Sequence, residues 1–196
     1  MRFAIGTFSL FIVCTLFAQQ SQPPATETYD DHDAYEVYRA LLPHEESSSF
    51  AKGTIVIKGT TVPSQDSVDE CLSAETRKRF KDAIADFQRV SQDRKLLRWE
   101  FTSETPYEIV SEETINTIFK EEGVGRGWET FYKRYPQSGG YHIFSAVGFN
   151  KNKTQAIVYS GSACGGLCGR WSLHVLEKVD GKWKQSPGAV NCFTVS

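Results

Sequence analysis

The apolar positions that follow residue 30 repeat with the period of an α-helix. Asp30 or Asp31 is a suitable N-cap for this helix, and Asp33 lies near its positive end. Pro43 ends the segment. The apolar stripe consists of Ala34, Val37, Tyr38, Leu41 and Leu42. The pattern therefore predicts an amphipathic helix early in the chain.

Three later segments show the same helical period. One helix is predicted over 74–90 with Ser73 as its cap, and another runs from Ser111 to about Gly123. A further helix is predicted over 127–135, where four aromatic residues fall on one side. We expect that aromatic stripe to face a core.

Beyond these helices the pattern changes to the alternation typical of β-strands. Strands are predicted at 53–58, 141–149, 155–160 and 171–179. The 141–149 strand is apolar on both sides, so we expect both of its faces to be covered. Asp180-Gly181 is a typical two-residue hairpin turn, and it places Glu177 opposite Lys184.

The order of these elements, with helices early and strands late, indicates an α+β protein without βαβ alternation. We expect N-terminal helices packed on a C-terminal antiparallel β-meander. A cone-like arrangement, similar to that of nuclear-transport-factor-like proteins, is the analogue that fits this order. That fold carries both enzymes and binding proteins, so it does not define a function.

The beginning of the chain has the layout of a secretory signal peptide over residues 1–18. Arg2 is its only charge, an apolar run follows, and polar residues come directly after Ala18. The apolar run is shorter than the ~20 residues of a membrane-spanning helix, and an uncleaved signal anchor is the alternative. We expect cleavage after Ala18, a disordered linker over 19–29 and a single α+β domain over 30–196.

Composition and charge narrow the functional classes. The 196 residues suit one domain, and a net charge of −2 argues against nucleic-acid binding, which needs a basic surplus. An aromatic content of 13% argues against disorder. Since no later segment is apolar enough to span a bilayer, we expect a secreted or periplasmic protein that is not membrane-embedded after cleavage.

Removal of the leader makes the cysteine count even. Cys14 leaves with the leader, and four cysteines remain: Cys71, Cys164, Cys168 and Cys192. In an exported chain these cysteines predict disulfides rather than a metal site. Three pairings are open from the sequence. We favour Cys164 with Cys168, which closes a tight loop, and Cys71 with Cys192, which ties the middle of the chain to its end.

The segment 163–170 is an unusual glycine-rich loop that contains Gly165, Gly166 and Gly169. Its C-x3-C spacing matches neither a zinc site nor a C-x-x-C redox motif. We expect a disulfide-pinned hairpin loop whose glycines supply positive φ. The alternative is a ligand loop whose backbone N–H groups bind an anion.

Two histidines on different predicted strands are candidates for a shared pocket near Tyr159. They are His142 and His174. In the first interpretation both are histidines of the sheet surface without a catalytic role. In the alternative, one of them activates a serine in a hydrolase-like site, which is recognised by geometry rather than by spacing. The candidate serines are Ser145, Ser160 and Ser162.

The last third of the chain carries a series of short motifs in order. These are Y-P-x-S-x-G, S-x-V-G-F-N, C-G-x-L-C-G and D-G-K-W-K. In this combination the segment resembles an uncharacterised family of exported bacterial proteins. The resemblance implies an exported α+β protein of a bacterium. It implies no activity, because the family has no known function and offers no catalytic residues to transfer.

Taken together, these patterns predict a small exported, disulfide-containing binding or interaction protein. Its partner is expected to be a small molecule or a protein of the envelope or medium, and no motif predicts a metal or a cofactor. The alternative is a hydrolase-like enzyme with a pocket centred on His142 or His174. The absence of a catalytic motif favours the non-enzymatic interpretation.

Overall fold

A computed structural model describes residues 25–42, 53–98, 106–186 and 193–195. Its elements in chain order are β1 (Glu27–Thr28), α1 (His32–Leu41), β2 (Ile55–Lys58), α2 (Val68–Cys71), α3 (Ala74–Arg79), α4 (Lys81–Val90), β3 (Lys95–Leu96), β4 (Tyr107–Val110), α5 (Glu112–Arg134), β5 (Tyr141–Phe144), β6 (Gly148–Phe149), β7 (Gln155–Ala163), β8 (Gly169–Val179), β9 (Lys182–Gln185) and β10 (Phe193–Val195). The predicted α+β class is confirmed. The leader over 1–18 lies outside the described residues.

The main sheet is mixed, with the strand order β10-β8-β7-β5-β2-β4. From β5 to β9 it is the antiparallel meander that the sequence predicts. However, β2 runs parallel to both of its neighbours, β4 and β5. Parallel neighbours need crossover connections, which α2 to α4 and α5 provide here. The expectation of no βαβ alternation is therefore wrong, because the four-residue β4 was not recognised as a strand.

Helices cover both faces of this sheet. Alternation along β2 sends Ile57 to one face, where α1 packs, and Val56 to the other, where α5 packs. Further along the sheet, Ile157 of β7 lies in a cluster with Phe87 of α4. The sheet is consequently buried on both sides in its centre.

Two predicted elements are interrupted where a side chain turns into the core. Phe80, which is buried, departs from helical geometry at φ −103° and ψ 17°, and this divides the predicted 74–90 helix into α3 and α4. The predicted 141–149 strand breaks at Ser145, whose hydroxyl accepts a bond from the Tyr159 N–H (2.9 Å) and donates to the Ala146 carbonyl (2.8 Å). The break places Val147 in the same cluster as Phe144.

The ordered part of the chain begins before residue 30. Glu27 and Thr28 form β1, which pairs in parallel with β3, and Tyr29 is buried in the core. Residues 27–29 therefore do not belong to the predicted linker over 19–29, because a parallel partner and a tyrosine core hold them. Residues 19–24 lie outside the described residues.

Helix α1 is attached to the meander by polar contacts over long sequence separations. Asp31 caps the helix as predicted. The Tyr38 hydroxyl donates to the Ser145 carbonyl (2.8 Å), and the Lys178 ammonium lies 2.9 Å from an Asp33 carboxylate oxygen. These contacts fix α1 to strands that follow it by more than a hundred residues.

The terminal hairpin forms as the sequence predicts. Asp180 and Gly181 both have positive φ, at 52° and 76°, as the favoured two-residue turn requires. Glu177 lies opposite Lys184 in the register of β8 and β9.

Candidate functional site

A groove of about 1220 Å³ lies between α5 and the segments joined by the bridge between Thr60 and Leu96. We call it the α5 groove. It exceeds the cavities beside α1 (about 520 Å³) and α4 (about 250 Å³). The groove is lined by Gly59, Thr60, Leu96, Leu97 and Ile109, which we call its floor, by Ser111, Glu112, Glu113, Asn116, Thr117 and Lys120, which we call its wall, and by Ala25 and Arg94.

The wall of the groove is one polar side of α5. Glu113, Asn116, Thr117 and Lys120 are spaced by three or four residues, so they share one side of the helix. All four are exposed, whereas Ile115 and Ile118 point to the core. The amphipathic pattern of α5 thus leaves a polar side facing the groove.

The floor of the groove is apolar and partly open to solvent. Leu96 in β3 is 38% exposed, which is unusual for a leucine in a strand, while Leu97 is buried and Ile109 in β4 is half-buried. Ligand pockets typically combine such an apolar lining with a few polar groups. The floor offers apolar surface that a bound molecule could cover.

Two adjacent threonines at the edge of this floor differ in their hydrogen bonding. The Thr61 hydroxyl donates to the Asp93 carbonyl (2.8 Å) and accepts a bond from the Lys95 N–H (2.8 Å). The Thr60 hydroxyl is also buried, in a residue only 4% exposed, but it has no hydrogen-bond partner within the described ranges. Since buried hydroxyls are nearly always bonded, Thr60 is the unusual group of the groove.

An ion-pair cluster fixes the amino end of α5 beside the groove. Glu112 lies 2.8 Å from the Lys58 ammonium and also contacts the Arg94 guanidinium. Burial opposes ionisation of Glu112, but the hydrogen bonds and charges of Lys58 and Arg94 outweigh it, so the pKa of Glu112 lies below its usual range. Glu112 is therefore ionised at neutral pH and holds α5 against β2.

The sheet register places the two candidate histidines on one face but not next to each other. His142 pairs with Ser162 of β7, and His174 pairs with Val158, which precedes Ser162 by four residues. That offset is about 13 Å along the strand. Tyr159 lies on the opposite face, in a cluster with Leu173, so it does not share a pocket with the histidines.

One serine–histidine contact exists in the sheet. Ser160 Oγ lies 3.0 Å from His174 Nε2. Burial lowers the pKa of His142 and of His174 to about 4, and the charge of Arg170 contributes for His174. Within the described part of the chain, no hydrogen bond joins either imidazole to a carboxylate that could orient it as a triad requires.

The other candidate serines do not complete a hydrolase site. Ser145 is fully buried, and both roles of its hydroxyl are used in the strand break described above. Ser162 faces His142 in the register, but no hydrogen bond between their side chains occurs. The hydrolase interpretation therefore rests on the Ser160–His174 contact alone.

The predicted disulfide between Cys164 and Cys168 is present. The loop is also fixed at its base, where the Cys164 N–H donates to the Cys168 carbonyl (2.8 Å) and the Tyr132 hydroxyl donates to the Cys164 carbonyl (2.8 Å). Leu167 at its tip is 90% exposed.

The glycines of this loop do not play the predicted role. Positive φ occurs at Gly123, Gly140 and Gly181 but not at Gly165, Gly166 or Gly169. The expectation that these glycines supply positive φ is therefore wrong, because the loop closes through the disulfide and the backbone bond without left-handed residues. The alternative of a ligand loop at these three glycines stays a prediction.

Of the two cysteines in the second predicted disulfide, only Cys71 lies within the described residues. Cys71 is buried and disulfide-bonded. Cys192, the partner that we predict, lies outside the described residues. The pairing of Cys71 with Cys192 stays a prediction.

The described residues contain neither a cluster of metal ligands nor a helix suited to span a membrane. No group of three or more histidine, cysteine, aspartate or glutamate side chains could hold a metal ion there. Within the same residues, none of the helices has the length and apolar character needed to cross a membrane.

Comparisons of the chain with protein-family models, with curated proteins and with solved structures found no match. The resemblance of the C-terminal motifs to exported bacterial proteins therefore stays a prediction.

Sequence reasoning missed the α5 groove. Its residues come from three separate segments, 59–60, 94–97 and 109–120, that tertiary structure brings together. A polar stripe on an otherwise apolar helix was the one local signal at 113–120. The unpartnered state of Thr60 has no local signal at all, since it depends on what surrounds the hydroxyl.

Proposed function

We propose that this protein is an exported binding protein and that its α5 groove takes a small amphipathic molecule. The buried hydroxyl of Thr60, which lacks a partner, is the observation that carries the proposal. A buried polar group without a hydrogen bond costs free energy. The hydroxyl is closed to water in the unliganded protein, so a ligand has to displace a neighbouring group to reach it; the new hydrogen bond would then remove that cost and stabilise the protein.

The apolar floor supports the same proposal. Leu96 and Ile109 expose apolar surface inside a groove rather than on a convex surface. Covering that surface contributes about 25 cal/mol for each Å² removed from water. A ligand with an apolar body and one polar group would therefore match both the floor and Thr60.

Export is part of the proposal and rests on two observations. The first eighteen residues have the layout of a signal peptide. The disulfide between Cys164 and Cys168 fits an oxidising compartment. A cone-like arrangement of helices and sheet, as in nuclear-transport-factor-like proteins, stays a prediction that this function does not require.

Binding is favoured over hydrolysis by the state of the two sites. The α5 groove holds an unsatisfied polar group beside open apolar surface. The Ser160–His174 pair lacks an orienting carboxylate within the described residues, and its imidazole is held neutral by burial. The Ser160 hydroxyl and the His174 imidazole bond each other, so this contact does not require a substrate.

The proposal is tested with Nile red, a neutral dye whose fluorescence rises in apolar surroundings. We expect the purified protein to bind the dye and Leu96→Glu to abolish the signal, because the substitution puts a charge on the floor of the groove. Leu167→Glu is the matched control: the same change is made at a more exposed leucine outside the groove. We expect it to bind the dye like the unmodified protein.

Circular dichroism of both variants checks that each one folds. Absence of dye binding by the unmodified protein would contradict the proposal. Equal binding by a folded Leu96→Glu variant would contradict it as well, since the dye would then lie elsewhere.

A further inference from the structure

We propose that the ligand of the α5 groove is a neutral amphiphile, with an alcohol or amide group bonded to Thr60 and an apolar body on Leu96, Leu97 and Ile109. This inference rests on the proposed function and adds the chemical class of the ligand. It follows from the charges along the groove and from the kind of polar group that a single buried hydroxyl can satisfy.

An anionic ligand is disfavoured at the amino end of α5. The Ser111 hydroxyl already accepts a bond from the Thr114 N–H there. The carboxylates of Glu112 and Glu113 occupy the first turn, where they offset the positive end of the helix. An incoming carboxylate would therefore approach the exposed carboxylate of Glu113, while the Glu112 carboxylate already occupies Lys58 and Arg94.

A cationic ligand fares no better. Arg94 lines the buried end of the groove, with a side chain only 12% exposed, and Lys120 lines the wall. Glu112 is already engaged by Lys58 and Arg94, so it is not available to a third cation.

The charges that line the groove are balanced. Two cations, Arg94 and Lys120, face two carboxylates, Glu112 and Glu113. The net electrostatic free energy of binding is small for a neutral ligand between these balanced charges. An ionic ligand would lose its hydration there without gaining an unpaired charge of opposite sign.

Thr60 itself favours a neutral group. One buried hydroxyl can donate one hydrogen bond and accept others. An alcohol or amide needs about that much to replace its lost water, whereas a carboxylate or ammonium needs several charge-compensating partners. The single buried hydroxyl of Thr60 and the balanced charges of the groove therefore both favour a neutral ligand.

The test compares three probes with the same apolar chain: decanol, decanoate and decylammonium. Binding is followed through the methyl NMR signals of Leu96, Leu97, Ile109 and Thr117, which line the groove. The Leu167 methyl signals serve as the internal control, because that side chain is exposed outside the groove. We expect decanol to bind about tenfold more tightly than either ion, with little dependence on salt.

Substitutions at Thr60 test the hydrogen bond. Thr60→Val, which removes the hydroxyl, is expected to weaken decanol binding by about tenfold. Thr60→Ser, which keeps the hydroxyl, is expected to retain most of the affinity. Unchanged decanol affinity in a folded Thr60→Val variant would overturn the role of Thr60.

The outcomes separate this inference from the proposed function. If none of the three probes shifts the groove signals, the α5 groove is not a binding site and both proposals fail. If decanoate or decylammonium binds as tightly as decanol, the groove remains a binding site and the assignment to a neutral ligand fails.

Discussion

Replacing Thr60 by valine should make the unliganded protein more stable. Valine has nearly the same shape as threonine and exchanges only the hydroxyl for a methyl group. The Thr60 hydroxyl is buried without a partner, and leaving such a group unsatisfied costs about 1–3 kcal/mol. The position lies in a bridge to Leu96, where a β-branched residue is well tolerated. We therefore expect the free energy of unfolding to rise by about 1–3 kcal/mol.

The neighbouring residue provides a control with the opposite sign. Thr61 is fully buried, and its hydroxyl bonds the Asp93 carbonyl and the Lys95 N–H. Thr61→Val removes the partner of these two partly buried backbone groups. We expect it to lower the free energy of unfolding by about 2–4 kcal/mol.

Urea unfolding followed by circular dichroism measures both effects. The two variants should keep the slope of the unmodified protein and shift the midpoint in opposite directions, because only stability changes. A loss of stability in Thr60→Val comparable to that in Thr61→Val would refute the reasoning. It would mean that the Thr60 hydroxyl is satisfied in the free protein, and the main argument for a ligand in the α5 groove would fall.

Three further predictions concern the rest of the fold. A Cβ at Gly166 and at Gly181 would meet open space, but only Gly181 has positive φ (76°). In urea unfolding we therefore expect Gly166→Ala to be neutral or stabilising by up to about 1 kcal/mol, and Gly181→Ala to be destabilising by about 1–2 kcal/mol. Equal effects of the two substitutions would contradict this. Burial lowers the pKa of His142 and His174 to about 4, so the unfolded chain binds more protons and stability should fall as pH drops from 6.5 toward 4, by up to about 3 kcal/mol for each histidine. Urea midpoints should lose part of this dependence in His142→Gln and keep it in the exposed control His32→Gln. Replacing Cys164 and Cys168 by serine should cost about 2 kcal/mol, and replacing Cys71 and Cys192 about 5 kcal/mol, because the second predicted loop is far longer; mass mapping that paired Cys71 with another cysteine would contradict the second value.

The elements that were predicted correctly are those with local determinants. Ser73 and Ser111 cap the helices that follow them, each accepting a bond from the N–H three residues later. The Asp180-Gly181 turn fixes the register that pairs Glu177 with Lys184. Period, cap and turn residue act within a few positions, so one sequence carries enough information to predict them.

The features that were missed depend on contacts between distant segments. β4 has only four residues, and it is a strand because β2 lies beside it in parallel. The break at Ser145 forms around the Tyr159 N–H, which comes from the next long strand. The unsatisfied state of Thr60 is likewise set by its three-dimensional surroundings. Such features follow from tertiary contacts that overrule local propensity.

The attachment of α1 has a consequence for the timing of folding. Tyr29, Tyr38 and Asp33 reach partners that follow them by 118, 107 and 145 residues. Helix α1 also packs on Ile55 and Ile57 of β2, but these three polar contacts cannot form until the last third of the chain has emerged. Contacts at such separation form late and slowly. For the exported chain that we propose, the core cluster that contains α1 can therefore close completely only after the last third of the chain is available.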